Sequence, residues 1–206
     1  MDESKAPPRI GVLAIQGDYE AHAAALEQSG AQTSLVKTSE ALENLDGLIM
    51  PGGESTTMLK FLDRPSENGS LFDALKSFAA ARPVFGTCAG AILLASEVRH
   101  PLQRSLGLLD IAVERNAYGD QRDSAILTLE TSLPGGPLET VFIRAPRIVH
   151  AGPEVEVLAQ RDGFPVLVRQ KSGQTEIMAA TFHPELSSDR RVHQLFVDAV
   201  ESARKK

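Results

Sequence analysis

Apolar residues in this chain fall into short runs that end at glycines and alternate with stretches of helical spacing. Residues 10–15, IGVLAI, form a strand-like run ending in Gln16-Gly17, and DYEAHAAALEQSG (18–30) follows with helix formers and a closing Gly30. The unit then repeats. TSLVK (33–37) reads as a strand, SEALENL (39–45) as a short capped helix, and GLIMPGG (47–53) as a buried strand running into a glycine turn. A helical piece over 56–62 precedes the polar connector DRPSENGS (63–70), the helix LFDALKSFAAA (71–81) and the strand PVFG (83–86). Cys88 opens one more apolar helix, AGAILLASEV (89–98). Strands alternating with helices predict an α/β three-layer sandwich with a mostly parallel central sheet covered on both faces.

Beyond Arg99 the texture changes. Prolines and glycines punctuate short β-prone runs, SAILTLE (124–130), TVFIR (140–144), VEVLAQ (155–160) and FPVLVRQ (164–170), so additional antiparallel strands are expected in this half. TEIMAATFHPE (175–185) predicts a last buried strand, and DRRVHQLFVDAVESARKK (189–206) a closing helix with Val192, Leu195, Phe196 and Val200 on one face. No repeat and no convincing linker interrupts the chain, and a single domain over 1–206 is expected.

Composition narrows the function classes. A formal net charge of −6 argues against nucleic-acid or membrane-surface binding, which would favour clustered Lys and Arg. The one basic cluster, Arg204-Lys205-Lys206, is expected to fray in solvent. A single cysteine excludes an internal disulfide and a multi-cysteine metal site, and suits a reducing compartment. The N-terminus MDESKAPPRI lacks the basic start and apolar stretch of a signal peptide, and no apolar run approaches the ~20 residues of a membrane span. A cytoplasmic protein is expected, with no metal or cofactor.

Three segments carry candidate chemistry. Gly86-Thr87-Cys88-Ala89-Gly90 has the form G-x-C-x-G, the cysteine counterpart of a nucleophile elbow: glycines on both sides permit a sharp strand-to-helix turn that thrusts the central side chain clear of the sheet. The helix beginning there favours negative charge and offers free N–H groups. Cys88 fits two readings at this point, a small buried hydrophobe or a nucleophile. A thiolate needs a base, and five histidines are available. His22 and His193 sit in helices, at surface or packing positions, while His100 and His150 fall in loops with no obvious acid nearby. His183 differs, because it follows a buried strand and has Glu185 two positions on, on the same side of an extended segment held by Pro184. Glu185 could orient the imidazole as the acid of a triad does; a strand end turning to solvent would look the same. The third segment, MPGGESTT (50–57), offers backbone N–H groups at Gly52-Gly53 such as an oxyanion hole requires, and a cap at Glu54-Ser55; a plain strand-to-helix turn fits equally. A P-loop is excluded, since no lysine follows.

In order and context, PGGES, GTCAG and FHPE resemble the class I, triad-type glutamine amidotransferases, a flavodoxin-like fold. GVLAIQGDYEAH, PGGESTTM, GTCAGAILLA, LGLLDIAVERNAYGDQRDS, VFIRAP and HPELSSDRRVHQLF narrow the resemblance to the glutaminase subunits of pyridoxal 5′-phosphate synthases. That resemblance implies Cys88 as nucleophile, His183 as base, Glu185 as its orienting acid, and Gly53 and Ala89 as oxyanion-hole amides. It implies an L-glutamine site at Gly53, Glu54, Ser55, Arg115, Ile143 and Arg144, where a guanidinium and a carboxylate complement the α-carboxylate and α-ammonium of the substrate. It also implies a (β/α)₈-barrel synthase subunit as partner, receiving ammonia from a glutaminase that is weak until docked, with Gln16-Gly17 as the candidate coupling element. A glutaminase for another acceptor, such as imidazole glycerol phosphate synthesis, fits the ERNAYGDQRDS segment less well. A non-catalytic module would be expected to lack a triad residue, and a cysteine hydrolase sharing only the elbow would not need His-Pro-Glu.

Overall fold

The computed structural model describes residues 6–65, 67, 69–115, 124–173 and 175–205. Residues 116–123, most of the ERNAYGDQRDS segment, lie outside these, as do positions 66 and 68 of the polar connector and the final Lys206. The chain builds β1 (Arg9–Leu13), α1 (Tyr19–Gln28), β2 (Gln32–Val36), β3 (Gly47–Met50), α2 (Ser55–Leu62), α3 (Leu71–Ala79), β4 (Val84–Thr87) and α4 (Ala89–Leu94). The second half adds β5 (Ala95–Arg99), β6 (Leu109–Glu114), β7 (Ala125–Leu129), β8 (Leu138–Phe142), β9 (Arg147–Ala151), β10 (Val155–Arg161), β11 (Phe164–Ser172), β12 (Thr175–Ala180) and α5 (Arg191–Arg204).

A seven-stranded sheet in the order β10-β11-β12-β4-β3-β1-β2 runs through the centre. Its members β12, β4, β3, β1 and β2 are parallel, while β11 and β10 complete it antiparallel. Strand residues alternate between two cores. Leu13, Leu48, Met50, Val84, Ile177 and Ala179 face the layer of α2, α3 and α4, whereas Ile10, Val12, Ile49, Phe85, Met178 and Ala180 face α1 and α5. Period-two alternation that is apolar on both sides is what a sheet covered twice requires. Small sheets β5-β6-β9 and β7-β8 flank the main one, so the expected sandwich and extra antiparallel strands are both present. Among the described residues no helix is long and apolar enough to cross a membrane.

Four local expectations need correction. The helix expected over 39–45 shrinks to a single 3₁₀ turn, Glu40–Leu42, because Leu42 and Leu45 both plug the core and Asp46 is pulled back to accept from Arg9 N at 2.8 Å. The helix expected over 89–98 stops at Leu94; residues 95–99 pair with β6, and Ser96 Oγ donates to Ile111 O at 2.9 Å, so ladder bonds override helical propensity. His150 belongs to β9, opposite Ala112, and not to a loop. Arg204 does not fray: it ends α5, ion-pairs with Asp46 at 3.3 Å and donates to Ala6 O.

Candidate active site

The carboxyl ends of β1, β3, β4 and β12, neighbours in the sheet, deliver the three motifs to one place. Cys88 sits between β4 and α4 with φ 48° and ψ −104°, a left-handed backbone that costs a residue with a Cβ about 1–3 kcal/mol. Packing holds that strain. A Cβ on Gly86 would lie 2.6 Å from the Gly90 carbonyl, and one on Gly90 only 1.9 Å from Met50 O. The two glycines of G-x-C-x-G are therefore required by backbone contact between β4, α4 and β3. Cys88 N donates to Ala180 O at 2.8 Å, tying the elbow to β12.

His183 follows β12, and its backbone N–H donates to Val141 O at 2.8 Å, which fixes the segment against β8. Glu185 lies in a 3₁₀ turn, Pro184–Leu186, not in the extended segment expected from the sequence. The turn still brings the pair together: His183 Nδ1 is 2.7 Å from Glu185 Oε1. Glu185 is 5% exposed, so the solvent-facing alternative is overturned. Burial opposes charge on the His183 imidazole, but hydrogen bonds to Cys88 and Glu185 outweigh it and push the imidazole up to about 10. Burial likewise works against the Glu185 carboxylate, and the hydrogen bond from His183 together with the nearby His22 holds it well below the usual range. Cysteine, imidazole and carboxylate thus stand in one row.

Gly52 lies beneath both reacting side chains. A Cβ there would meet His183 Cε1 at 2.6 Å and Cys88 Cβ at 3.4 Å. Gly53, at φ 144°, occupies a conformation that glycine alone adopts readily. Glu54 caps α2, accepting from Thr56 N at 3.0 Å and from Thr57 N and Oγ1 at 2.7 Å each. Burial opposes its charge, yet the Thr57 hydroxyl and the backbone N–H groups of Thr56 and Thr57 bring Glu54 down to about 2. The loop after β1 locks onto this turn: Gln16 Oε1 accepts from Glu54 N at 3.0 Å, and Gly17 approaches so closely that a Cβ would stand 2.0 Å from Gly52 O.

A cavity of about 460 Å³ opens over these groups, lined by Cys88 and His183 together with Glu54, Arg115 and Arg144. Gly53, Ser55, Ile143 and Gln16 also line it, so every residue expected to hold substrate faces one space. Arg115 Nη2 donates to Thr56 Oγ1 at 2.9 Å and to Glu54 Oε1 at 3.1 Å, which sets a guanidinium beside a carboxylate at the cavity wall. Such a cavity suits a small zwitterion whose reacting end reaches the thiol. Ser55 is buried, and its hydroxyl donates to Gln103 Oε1 at 3.0 Å, a partner from the connection between β5 and β6 that the sequence did not single out.

His22 and His193 were also missed as functional candidates. Both are fully buried, and His22 Nε2 lies 3.2 Å from Glu185 Oε2. Spacing could have found them. His22 shares a face with the buried Ala25 and Leu26, and His193 with Phe196, Val197 and Val200, at i, i+3, i+4 and i+7. A histidine on an apolar helix face needs a buried partner.

An elbow cysteine, an imidazole–carboxylate pair and a zwitterion-sized cavity at the carboxyl edge of this sheet are the architecture of the class I glutamine amidotransferases. One crystal structure of a glutamine amidotransferase superposes with a TM-score of 0.82 at 42% identity, over 93% of this chain and 98% of that one. More narrowly, the chain belongs to the SNO glutamine amidotransferase family, whose description matches residues 12–202. It is 55% identical over 194 residues to the pyridoxal 5′-phosphate synthase subunit PdxT of Koribacter versatilis, covering 94% of this chain and 96% of that protein. With the same subunit of Solibacter usitatus it shares 51% identity over 195 residues, 92% of this chain and 97% of that protein.

Proposed function

We propose that this chain is the glutaminase subunit of a pyridoxal 5′-phosphate synthase, hydrolysing L-glutamine to L-glutamate and ammonia. The observation that carries the reading is His183 set beside Cys88 over Gly52, with Nδ1 2.7 Å from Glu185 Oε1, at a cavity that Glu54, Arg115 and Arg144 also line. Arg115 and Arg144 take the α-carboxylate of glutamine and Glu54 the α-ammonium, with Ser55 and Ile143 shaping the pocket. The Cys88 thiolate adds to the side-chain amide carbon, and the resulting oxyanion is held by backbone N–H groups of Gly53 and Ala89. Collapse breaks the C–N bond, His183 supplies the proton, and ammonia leaves. Water then attacks the thioester with His183 as base, releasing glutamate and restoring the thiolate. Glu185 holds the imidazole in register and stabilises its charged form throughout.

The chain acts as one glutaminase domain, in the cytoplasm, and the matched family description leaves only short ends outside it. The released ammonia passes to a (β/α)₈-barrel synthase subunit. Gln16, hydrogen-bonded to the oxyanion turn, and Gly17, packed closely against it, are where docking of that subunit would be felt. Replacing Cys88 tests the assignment. Cys88→Ala abolishes glutamine-dependent synthesis of pyridoxal 5′-phosphate in the reconstituted complex and leaves ammonia-dependent synthesis intact. Survival of the glutamine-dependent reaction would refute it.

A further inference from the structure

Behind Glu185 lies a buried cluster that the chemistry above does not use. His22 on α1 and His193 on α5, 171 residues apart, meet at 3.0 Å, Nδ1 to Nε2, and both are 0% exposed. His22 Nε2 stands 3.2 Å from Glu185 Oε2 and 3.1 Å from Thr87 Oγ1, on the residue before the nucleophile. His22 Nε2 is hydrogen-bonded to Thr87, and Glu185 Oε2, which has no hydrogen-bond partner among the described residues, has His22 Nε2 as its ion-pair contact. A carboxylate has no hydrogen to give, so His22 Nε2 carries the proton. Pairing each buried N–H then fixes the rest: His193 donates from Nε2 to His22 Nδ1 and keeps its partnerless Nδ1 as a bare lone pair. Burial holds His193 down to about 3, so it stays neutral. The other charged groups facing the pair are Glu185 with His183 behind it, and Arg190 at the start of α5.

We infer that His22 is a positioning residue for the glutaminase reaction: it anchors Glu185 Oε2 so that Oε1 stays aimed at His183, and His193 fixes the tautomer in which His22 can do so. The inference rests on the triad reading above. A buried carboxylate left with one donor either rotates toward a new partner or takes up a proton, and in both cases it no longer stabilises the imidazolium.

The test is steady-state glutamine hydrolysis across pH in the complex with the synthase subunit. His22→Leu fills similar volume without a donor, while His22→Gln keeps an amide N–H near the place of Nε2. Expected for His22→Leu is a fall in kcat of about 10-fold at neutral pH with KM within about twofold. Its acidic limb should move up by about one pH unit as Glu185 becomes easier to protonate. His22→Gln should recover most of the turnover and return the limb. His22→Asn keeps a group beside His193 but falls short of Glu185; it should match Leu, and it replaces Leu if that variant does not fold. Unchanged kcat and limb in Leu or Asn overturn the inference, as does a loss that Gln fails to relieve with the limb unmoved. Glu185→Gln in the same assay separates the two levels: wild-type turnover there sinks the triad reading itself, whereas an inactive Glu185→Gln beside wild-type His22 variants sinks only this inference.

Discussion

Adding one methyl group beneath the reacting side chains, Gly52→Ala, perturbs the site with little else disturbed. Gly52 is not at positive φ, unlike Gly17 and Gly53, so alanine accepts its backbone without strain. The new Cβ would stand 2.6 Å from His183 Cε1, and since carbon atoms rest at about 3.5 Å or more, the ring must retreat by about 0.9 Å. Retreat of the side chain is easier than movement of β3, but the ring is already tied through Nδ1 to Glu185 at 2.7 Å. Displacement of a catalytic group by about 1 Å costs on the order of 10²-fold in rate, or about 2.7 kcal/mol of transition-state stabilisation. Glutamine hydrolysis in the presence of the synthase subunit, followed by glutamate release, should therefore show kcat/KM reduced about 10²-fold. Thermal denaturation should shift by no more than about 4 °C, because the clash is absorbed by one side chain. Activity within about threefold of wild type would mean that His183 does not occupy this position during turnover, and the geometric argument would fail.

Two further predictions concern charge. Arg115→Ala removes the guanidinium that bonds Thr56 and Glu54 at the cavity wall, and KM for glutamine should rise about 10-fold or more with kcat little changed, since a charge-assisted contact is worth about 1.5–3 kcal/mol; an unchanged KM would exclude Arg115 from the substrate site. The second follows stability with pH. His183, raised from 6.5 to about 10, contributes in full below 6.5 and loses that contribution as pH climbs through about 10, while Glu185, held low, contributes above 4.5 and loses it as pH falls. The Tm advantage of wild type over His183→Asn should accordingly be greatest between about 4.5 and 6.5 and close toward pH 10; an advantage that grows with pH would contradict the ion-pair assignment.

The parts of the site legible in the sequence are those encoded locally. Cys88 between two glycines, Gly52-Gly53 after a buried strand and His183 two positions from Glu185 each announce a turn at a strand end, and parallel topology then collects strand ends on one edge. Even so, the sequence brought His183 and Glu185 together by an extended segment, and the structure does it by a 3₁₀ turn. What could not be read are the pairings across long separations. His22 meets His193 and Glu185 only because α1 and α5 pack side by side on one face of the sheet; helical spacing marks each histidine as lying on an apolar face but does not name the partner it meets. Strand β5 escaped notice for a related reason: AGAILLASEV has good helical residues throughout, and only pairing with β6 turns its second half into a ladder. Arg115 and Arg144 read as surface arginines from local pattern alone; only the family resemblance marks them, and the two line one cavity.

The contact of Gly90 with Met50 has a bearing on how Cys88 meets oxidants. Because the elbow rests on the backbone of a central strand, a small local fluctuation cannot lift it away; β3 and α4 must separate, which is an opening close in free energy to global unfolding. Peroxide and other small reagents would therefore reach the sulfur through the cavity, and on the proposed reading bound glutamine would stand in their way. An idle enzyme would then be exposed to oxidative damage, and a saturated one would carry its own shield.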